Sequence, residues 1–167
     1  MKIKAFKGLR PKDGLAKDIA SLPYDVVNFK QACKEAEGKP LSFMRVVRSE
    51  LELDPNIDPY TQAVYDHAKE NFEKLVKNGY LIREDAPSMY LYRQQMGNHS
   101  QTGIVATFSA QDYDADVIKK HEKTRKAKED DRYNLTRTLR VNTGPVFLTV
   151  KDGTKLDEIV ENCLKGI

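Results

Sequence analysis

Apolar and polar positions alternate over residues 2–6 and then meet "KGLRP", which reads as a first strand ending in a turn. "GLAKDIASL" has the spacing of a short helix, and "PYDVV" follows it directly. Asn28 stands where it can cap a helix "FKQACKEAEG" that Gly38 stops. "SFMRVV" mixes β-branched and aromatic residues and predicts a second strand, and "ELELDPNIDP" predicts a loop. The most regular stretch is 59–78, where Val64, Ala68, Phe72 and Leu75 line one helical face. Asp58 can cap this helix, Pro59 suits its first position and Gly79 supplies its stop. His67 beside that stripe reads as a surface residue rather than a ligand. "YLIRE", "SMYLYRQQ" and "TGIVATFS" are strand-like runs. "MGNHSQ" lies between the last two, so residues 89–95 and 102–109 are expected to pair as an antiparallel hairpin. His99 in that loop has no evident role. A charged helix over 122–139, an apolar strand "PVFLTV" and an amphipathic helix "KLDEIVENCLKGI" complete the chain. The mixture predicts an α/β (mixed α+β) fold: one compact domain over 1–167 with a mixed sheet, a β-hairpin and packed helices.

Composition narrows the class without naming a reaction. The chain has 167 residues, 40% of them hydrophobic and 32% charged, which suits a globular domain with its own core. No apolar run approaches the roughly 20 residues that span a bilayer, and the N-terminus "MKIKAFKGLRPKDG" lacks the apolar centre of a signal peptide. A cytoplasmic protein without a membrane partner is therefore expected. Cys33 and Cys163 stand in no CxxC or His pattern and read as two reduced thiols.

Charge changes the picture more than composition does. The net charge is +3, yet "IKKHEKTRKAKEDDRYNLTRTLR", residues 118–140, alone carries nine Lys or Arg against four Asp or Glu, or +5. Ile118, His121, Arg125, Lys128, Arg132, Leu135 and Leu139 recur every three or four residues and share one helical face, cationic at its start and apolar at its end. Docking through Leu135 and Leu139 turns those cations toward the protein. Their partners are either Glu129, Asp130 and Asp131, in a structural ion-pair network, or an external phosphate. A phosphate would be held by the Arg fork, the Lys point charge and free N–H groups at the helix start. On charge pattern alone the ion-paired or solvated face is the better reading.

Several strings together point to a family. "GLRP", "LPYDVV", "MYLYRQQM" with "QTGIV", "IKKHEKTRKAKEDDR" and "TGPVFL" occur in order over nearly the whole chain, and the chain resembles the domain-of-unknown-function family numbered 1015. Members are often labelled ParB-like, after the SpoOJ/ParA/ParB/RepB group, and commonly continue further. The resemblance thus implies the N-terminal portion of a longer protein, with its C-terminal region as a partner. It also implies a ParB/sulfiredoxin-like domain, in a superfamily that includes ATP- and CTP-binding domains and ATP- or ADP-dependent kinases of free serine. In such relatives a basic motif at a helix start binds nucleotide phosphates, a role that "HEKTR", residues 121–125, would fill. No Gly-x-Arg-Arg, Gly-x-x-His-Arg, Walker-type or sulfiredoxin-type Cys string is present.

With that resemblance the phosphate reading gains. His121, Thr124, Arg125, Lys128 and Arg132 are the candidate phosphate or nucleotide contacts, joined by Arg10 and Tyr24 from the start of the chain. Glu122 is the candidate ligand for Mg²⁺ accompanying ATP or another nucleotide, and His121, Glu122 and Asp25 are the candidate catalytic groups. Local alternatives stand beside each: Asp25 closing a turn, Arg10 pairing with an acid, and His121 as a structural histidine. Asp112 and Tyr113 in "QDYD" read as positioning the approach to the charged helix. The expected partner is a phosphate-bearing small molecule. Either phosphoryl transfer to a small hydroxyl metabolite or a non-catalytic nucleotide-binding or protein-interaction module uses the same contacts. Nucleic acid ranks below both, because no helix-turn-helix is readable and Glu129 to Asp131 interrupt the basic surface.

Overall fold

The computed structural model describes residues 1–120, 124–150 and 155–165. In chain order its elements are β1 (Ile3–Lys4), β2 (Leu9–Pro11), α1 (Ala16–Ile19), α2 (Phe29–Ala36) and α3 (Met44–Val47), a 3₁₀ turn (Ser49–Glu52), then α4 (Gln62–Lys77) and β3 (Leu81–Arg83). β4 (Tyr90–Met96), β5 (His99–Val105), β6 (Thr107–Phe108), α5 (Ala110–Asp114), α6 (Lys126–Leu139) and α7 (Lys155–Lys165) follow. The mixed α+β class holds. The chain gathers into two units, one built from residues 1–8, 84–121 and 144–167, the other from 9–83 and 122–143.

The second unit is organised by α4. Val64, Tyr65, Ala68, Phe72 and Leu75 are buried, and they pack with Ile19, Val46, Leu81, Leu135 and Leu139 in one apolar cluster. The expected stripe is therefore the core, with Tyr65 added. The helix starts later than expected. Asp58 closes a turn, its Oδ1 accepting the Tyr60 N–H at 2.9 Å and its carbonyl the Thr61 N–H at 3.2 Å. Thr61, not Asp58, takes the cap position. Gly79 ends it as expected, at φ +70°. The Tyr80 N–H reaches the Leu75 carbonyl and the Gly79 N–H that of Val76, the paired bonds of a Schellman stop.

α2 is secured by its own sequence: the Asn28 side chain accepts the Gln31 N–H at 3.0 Å, and the Gln31 side chain accepts the Asn28 N–H at 2.9 Å. Ala32 and Ala36 bury against Met44, with Val27, Val47 and Leu51 beside them. "SFMRVV" is a correction, because residues 44–47 are helical, not a strand. A strand would put Met44 and Val46 on one face. Here Met44 serves the α2 cluster and Val46 the α4 cluster, a division of sides that a helical turn supplies. β2 pairs antiparallel with β3, Arg10 opposite Ile82.

In the first unit β4 and β5 form the hairpin, Tyr90 opposite Val105 and Met96 opposite His99. The expected six-residue loop shrinks to Gly97 and Asn98, with Gly97 at φ +57°, the first central position where a two-residue turn favours glycine. Thr107 and Phe108 leave the hairpin to pair with β1. The Tyr90 hydroxyl accepts the Gly8 N–H at 2.7 Å and donates to the Phe6 carbonyl at 3.1 Å. α7 packs against β5 and buries Val160.

Two sheet expectations are corrected. Among the described residues the strands form three two-stranded antiparallel sheets, not a mixed sheet, because no crossover lays two of these short strands parallel. Residues 145–150 form no strand, and Val146 is 85% exposed. Strand-prone residues need a paired edge as well as propensity.

Candidate functional site

Leu135 and Leu139, 2% and 6% exposed, dock α6 on α4. Burying two Leu side chains is worth about 3–6 kcal/mol before entropy, enough to hold the polar first turns of α6 against the second unit. Those turns form one wall of a cleft whose other walls come from residues 46–50, the start of α4 and Tyr24. The cleft offers about 100 Å³, well short of the roughly 300–1,000 Å³ of a pocket that engulfs a small ligand. It has room for one compact group.

Asp131 is buried on this wall at 7% exposure. Its Oδ1 accepts the Tyr65 hydroxyl at 3.2 Å, and its Oδ2 accepts Arg132 Nε at 3.1 Å and Nη2 at 2.7 Å. The Tyr24 ring covers the guanidinium, with its centroid 3.8 Å from Cζ. Arg132 Nη1 is shielded from solvent and has no hydrogen-bond partner among the described residues. Burial first, and then the Asp131 charge and hydrogen bond, push the Tyr65 phenol up to about 12, so Tyr65 stays a donor to Asp131.

Arg48 builds the facing wall. Its Nε donates to Glu50 Oε1 at 2.5 Å, and its Nη1 donates to the carbonyls of Tyr24 at 3.1 Å and Val27 at 3.0 Å. That clamp holds the "PYDV" backbone and so presents the Tyr24 ring. Ser49 Oγ donates to the Val64 carbonyl at 2.6 Å. The lining holds Arg48, Lys128 and Arg132 with Glu50 and Asp131, three cations to two carboxylates. Each carboxylate is already bonded to an arginine. Lys128, in contrast, makes no ion pair among the described residues.

The structure brings together Tyr24, Lys128 and Arg132 of the residues singled out by sequence. Arg10 is not part of the cleft lining: on β2 its Nη1 donates to Asp13 at 2.7 Å and to the Pro11 carbonyl at 3.1 Å. Asp25 is exposed and also outside the lining, as are Thr124 and Arg125. The helical face does not extend to Arg125, because this residue has extended backbone at φ −70° and ψ 126° and α6 begins after it. His121 and Glu122 lie outside the described residues. Sequence reasoning missed Arg48, Glu50 and Tyr65. Arg48 stood just after a stretch read as strand and Glu50 opened one read as loop, where charge signals solvent.

A second polar cluster involves His67, which is half-buried and not a free surface residue. Glu52 accepts from Arg45 Nη1 at 2.5 Å and Asn71 Nδ2 at 2.5 Å, and pairs with His67 Nε2 at 3.0 Å. Burial pushes the Glu52 carboxyl up, but the hydrogen bonds from Asn71, Arg45 and His67 outweigh it and leave it below the usual carboxylate range. Among the described residues no three His, Cys, Asp or Glu side chains group as metal ligands. Cys33 and Cys163 are both free thiols.

Among the described residues no helix is long and apolar enough to cross a membrane. No curated protein and no solved structure matches the chain. Residues 3–166 match the model of a family described as "Protein of unknown function (DUF1015)". Because that match takes in the cleft and nearly everything around it, the chain belongs to the DUF1015 family.

Proposed function

We propose that the cleft binds the phosphate group of a small molecule. The observation that supports this most is the Arg132 guanidinium, whose buried Nη1 has no partner among the described residues, beside Lys128 on the same wall, which makes no ion pair among them. A buried donor left unsatisfied costs roughly 1–3 kcal/mol, and more when the group is charged. Phosphate oxygens would supply the missing acceptors as charge-assisted bonds, about twice as strong as neutral ones. The lining carboxylates are bonded to Arg48 and to the other edge of Arg132, and neither reaches Nη1. The volume admits one phosphate group, so a nucleotide would place a single phosphate here and leave its base and sugar outside. A distant relation to ParB and sulfiredoxin-like domains, which the sequence resemblance implies, is part of the same proposal. Phosphoryl transfer to a small hydroxyl metabolite, with Mg²⁺, rests on that proposed relation, and a nucleotide-binding module without turnover would use the same contacts.

Thermal melting with inorganic phosphate, ATP, ADP, CTP and GTP, with and without Mg²⁺, tests the reading. A bound ligand at about 100 times its Kd stabilises by roughly 2.7 kcal/mol. Lys128→Ala should abolish that shift while leaving the ligand-free midpoint close to the parent's, because an exposed lysine contributes little to stability. The proposal fails if none of these compounds shifts the parent, or if Lys128→Ala and Arg132→Ala both respond as the parent does.

A further inference from the structure

We propose that Tyr24 gates this cleft: its ring covers the Arg132 guanidinium until an entering oxyanion displaces it. The inference rests on the phosphate reading above and adds the residue that controls entry. Arg132 Nη1 is shielded from solvent and has no acceptor among the described residues, so an outside oxygen reaches it only if a covering group moves. The groups on the guanidinium differ in how firmly they are held. Asp131 sits on the Nε and Nη2 edge, fixed by Tyr65 and by a helix that Leu135 anchors. Tyr24 lies on the face at 3.8 Å, in a stretch with no helix or strand.

Arg48 holds that stretch by the carbonyls of Tyr24 and Val27, which fixes the backbone and leaves the side-chain torsions free. The Tyr24 hydroxyl makes no hydrogen bond among the described residues, so the ring can swing away at the cost of the cation–π contact and its partial burial, with no hydrogen bond broken. A ring stacked on the face attracts the cation but cannot accept the in-plane N–H bonds of Nη1. A phosphate oxygen can accept them, and it brings charge that a neutral group lacks. The gate therefore favours a charged oxyanion over a neutral polar ligand of the same size.

Nuclear magnetic resonance of the 167-residue chain titrated with inorganic phosphate tests this. The Arg132 Hε and Hδ resonances should begin ring-current shifted and lose that shift in step with occupancy. Tyr24→Leu should begin without the shift and bind phosphate about 2- to 30-fold tighter, the range expected when a competing cation–π contact is removed. Tyr24→Phe, which keeps the ring, should behave as the parent. Phosphate binding by the parent with the ring-current shift retained would overturn the gate and leave the phosphate site standing. Equal affinity in the parent and a folded Tyr24→Leu would do the same. If neither the parent nor Tyr24→Leu binds phosphate, the site and the gate fall together. Because the parent titration needs no substitution, the test stands even if Tyr24→Leu does not fold.

Discussion

The hydroxyl of Tyr65 on α4 donates to Oδ1 of Asp131 on α6 at 3.2 Å, and the other oxygen of the same carboxylate holds Arg132. One hydrogen bond thereby connects the apolar core of the second unit to the cation at the cleft. Tyr65 is buried, so its hydroxyl depends on the bond for an acceptor. Tyr65→Phe should lower stability by about 1–2 kcal/mol in urea unfolding at neutral pH. Alkaline titration checks the same bond. The phenol lies above its ordinary value of 10.0, at about 12, so its contribution is complete below pH 10 and declines as pH rises from there through 12. Absorbance near 295 nm should show one late-titrating tyrosine that Tyr65→Phe removes.

Asp131→Ala should cost more than Tyr65→Phe, because it strands a guanidinium instead of a neutral donor. Breaking a buried ion pair from one side costs about 3–5 kcal/mol. The Arg132 side chain keeps 27% exposure, so a loss of about 2–4 kcal/mol is expected. Guanidinium unfolding of Asp131→Ala and Tyr65→Phe side by side measures the order. An Asp131→Ala loss no greater than that of Tyr65→Phe would contradict the ion pair as described.

Gly8 and Tyr90 form a close pair in the first unit. A Cβ on Gly8 would stand 2.8 Å from the Tyr90 hydroxyl oxygen, so Gly8→Ala should destabilise by about 1–3 kcal/mol through overpacking. Tyr90→Phe removes the bonds to Gly8 N–H and the Phe6 carbonyl, at about 1–3 kcal/mol. The two losses should not add in a double-mutant cycle, since both act on one contact.

Glu52 yields a prediction in acid. Its carboxyl is held below 4.5 by Asn71, Arg45 and His67 against the upward push of burial. The contribution is therefore present above the ordinary carboxylate value and lost as pH falls through the lower folded one. Glu52→Gln should cost about 1–2 kcal/mol at pH 7, reduced toward the lower figure by its 27% exposure. Urea midpoints of parent and variant should converge as pH falls below about 4.

Sequence by itself determined the elements whose instructions are local. Asn28 and Gln31 cap α2 from three residues apart, Gly79 stops α4, and β4 pairs with β5 as a hairpin, though over a shorter turn than the sequence indicated. Leu135 and Leu139 mark the buried side of α6 because helical period alone places them there. Tertiary structure decided what depended on distant partners. Residues 44–47 became helical because they serve two apolar clusters on different sides. Residues 145–150, equally strand-prone, form no strand because no edge pairs with them. The cleft follows the same logic. Tyr24, Lys128 and Arg132 could be nominated from sequence, but Arg48 reaches back 24 residues to the Tyr24 carbonyl. Tyr65 likewise meets Asp131 across 66. Periodicity assigns a side chain to a face of its own element, and only packing between elements decides which charge that face meets.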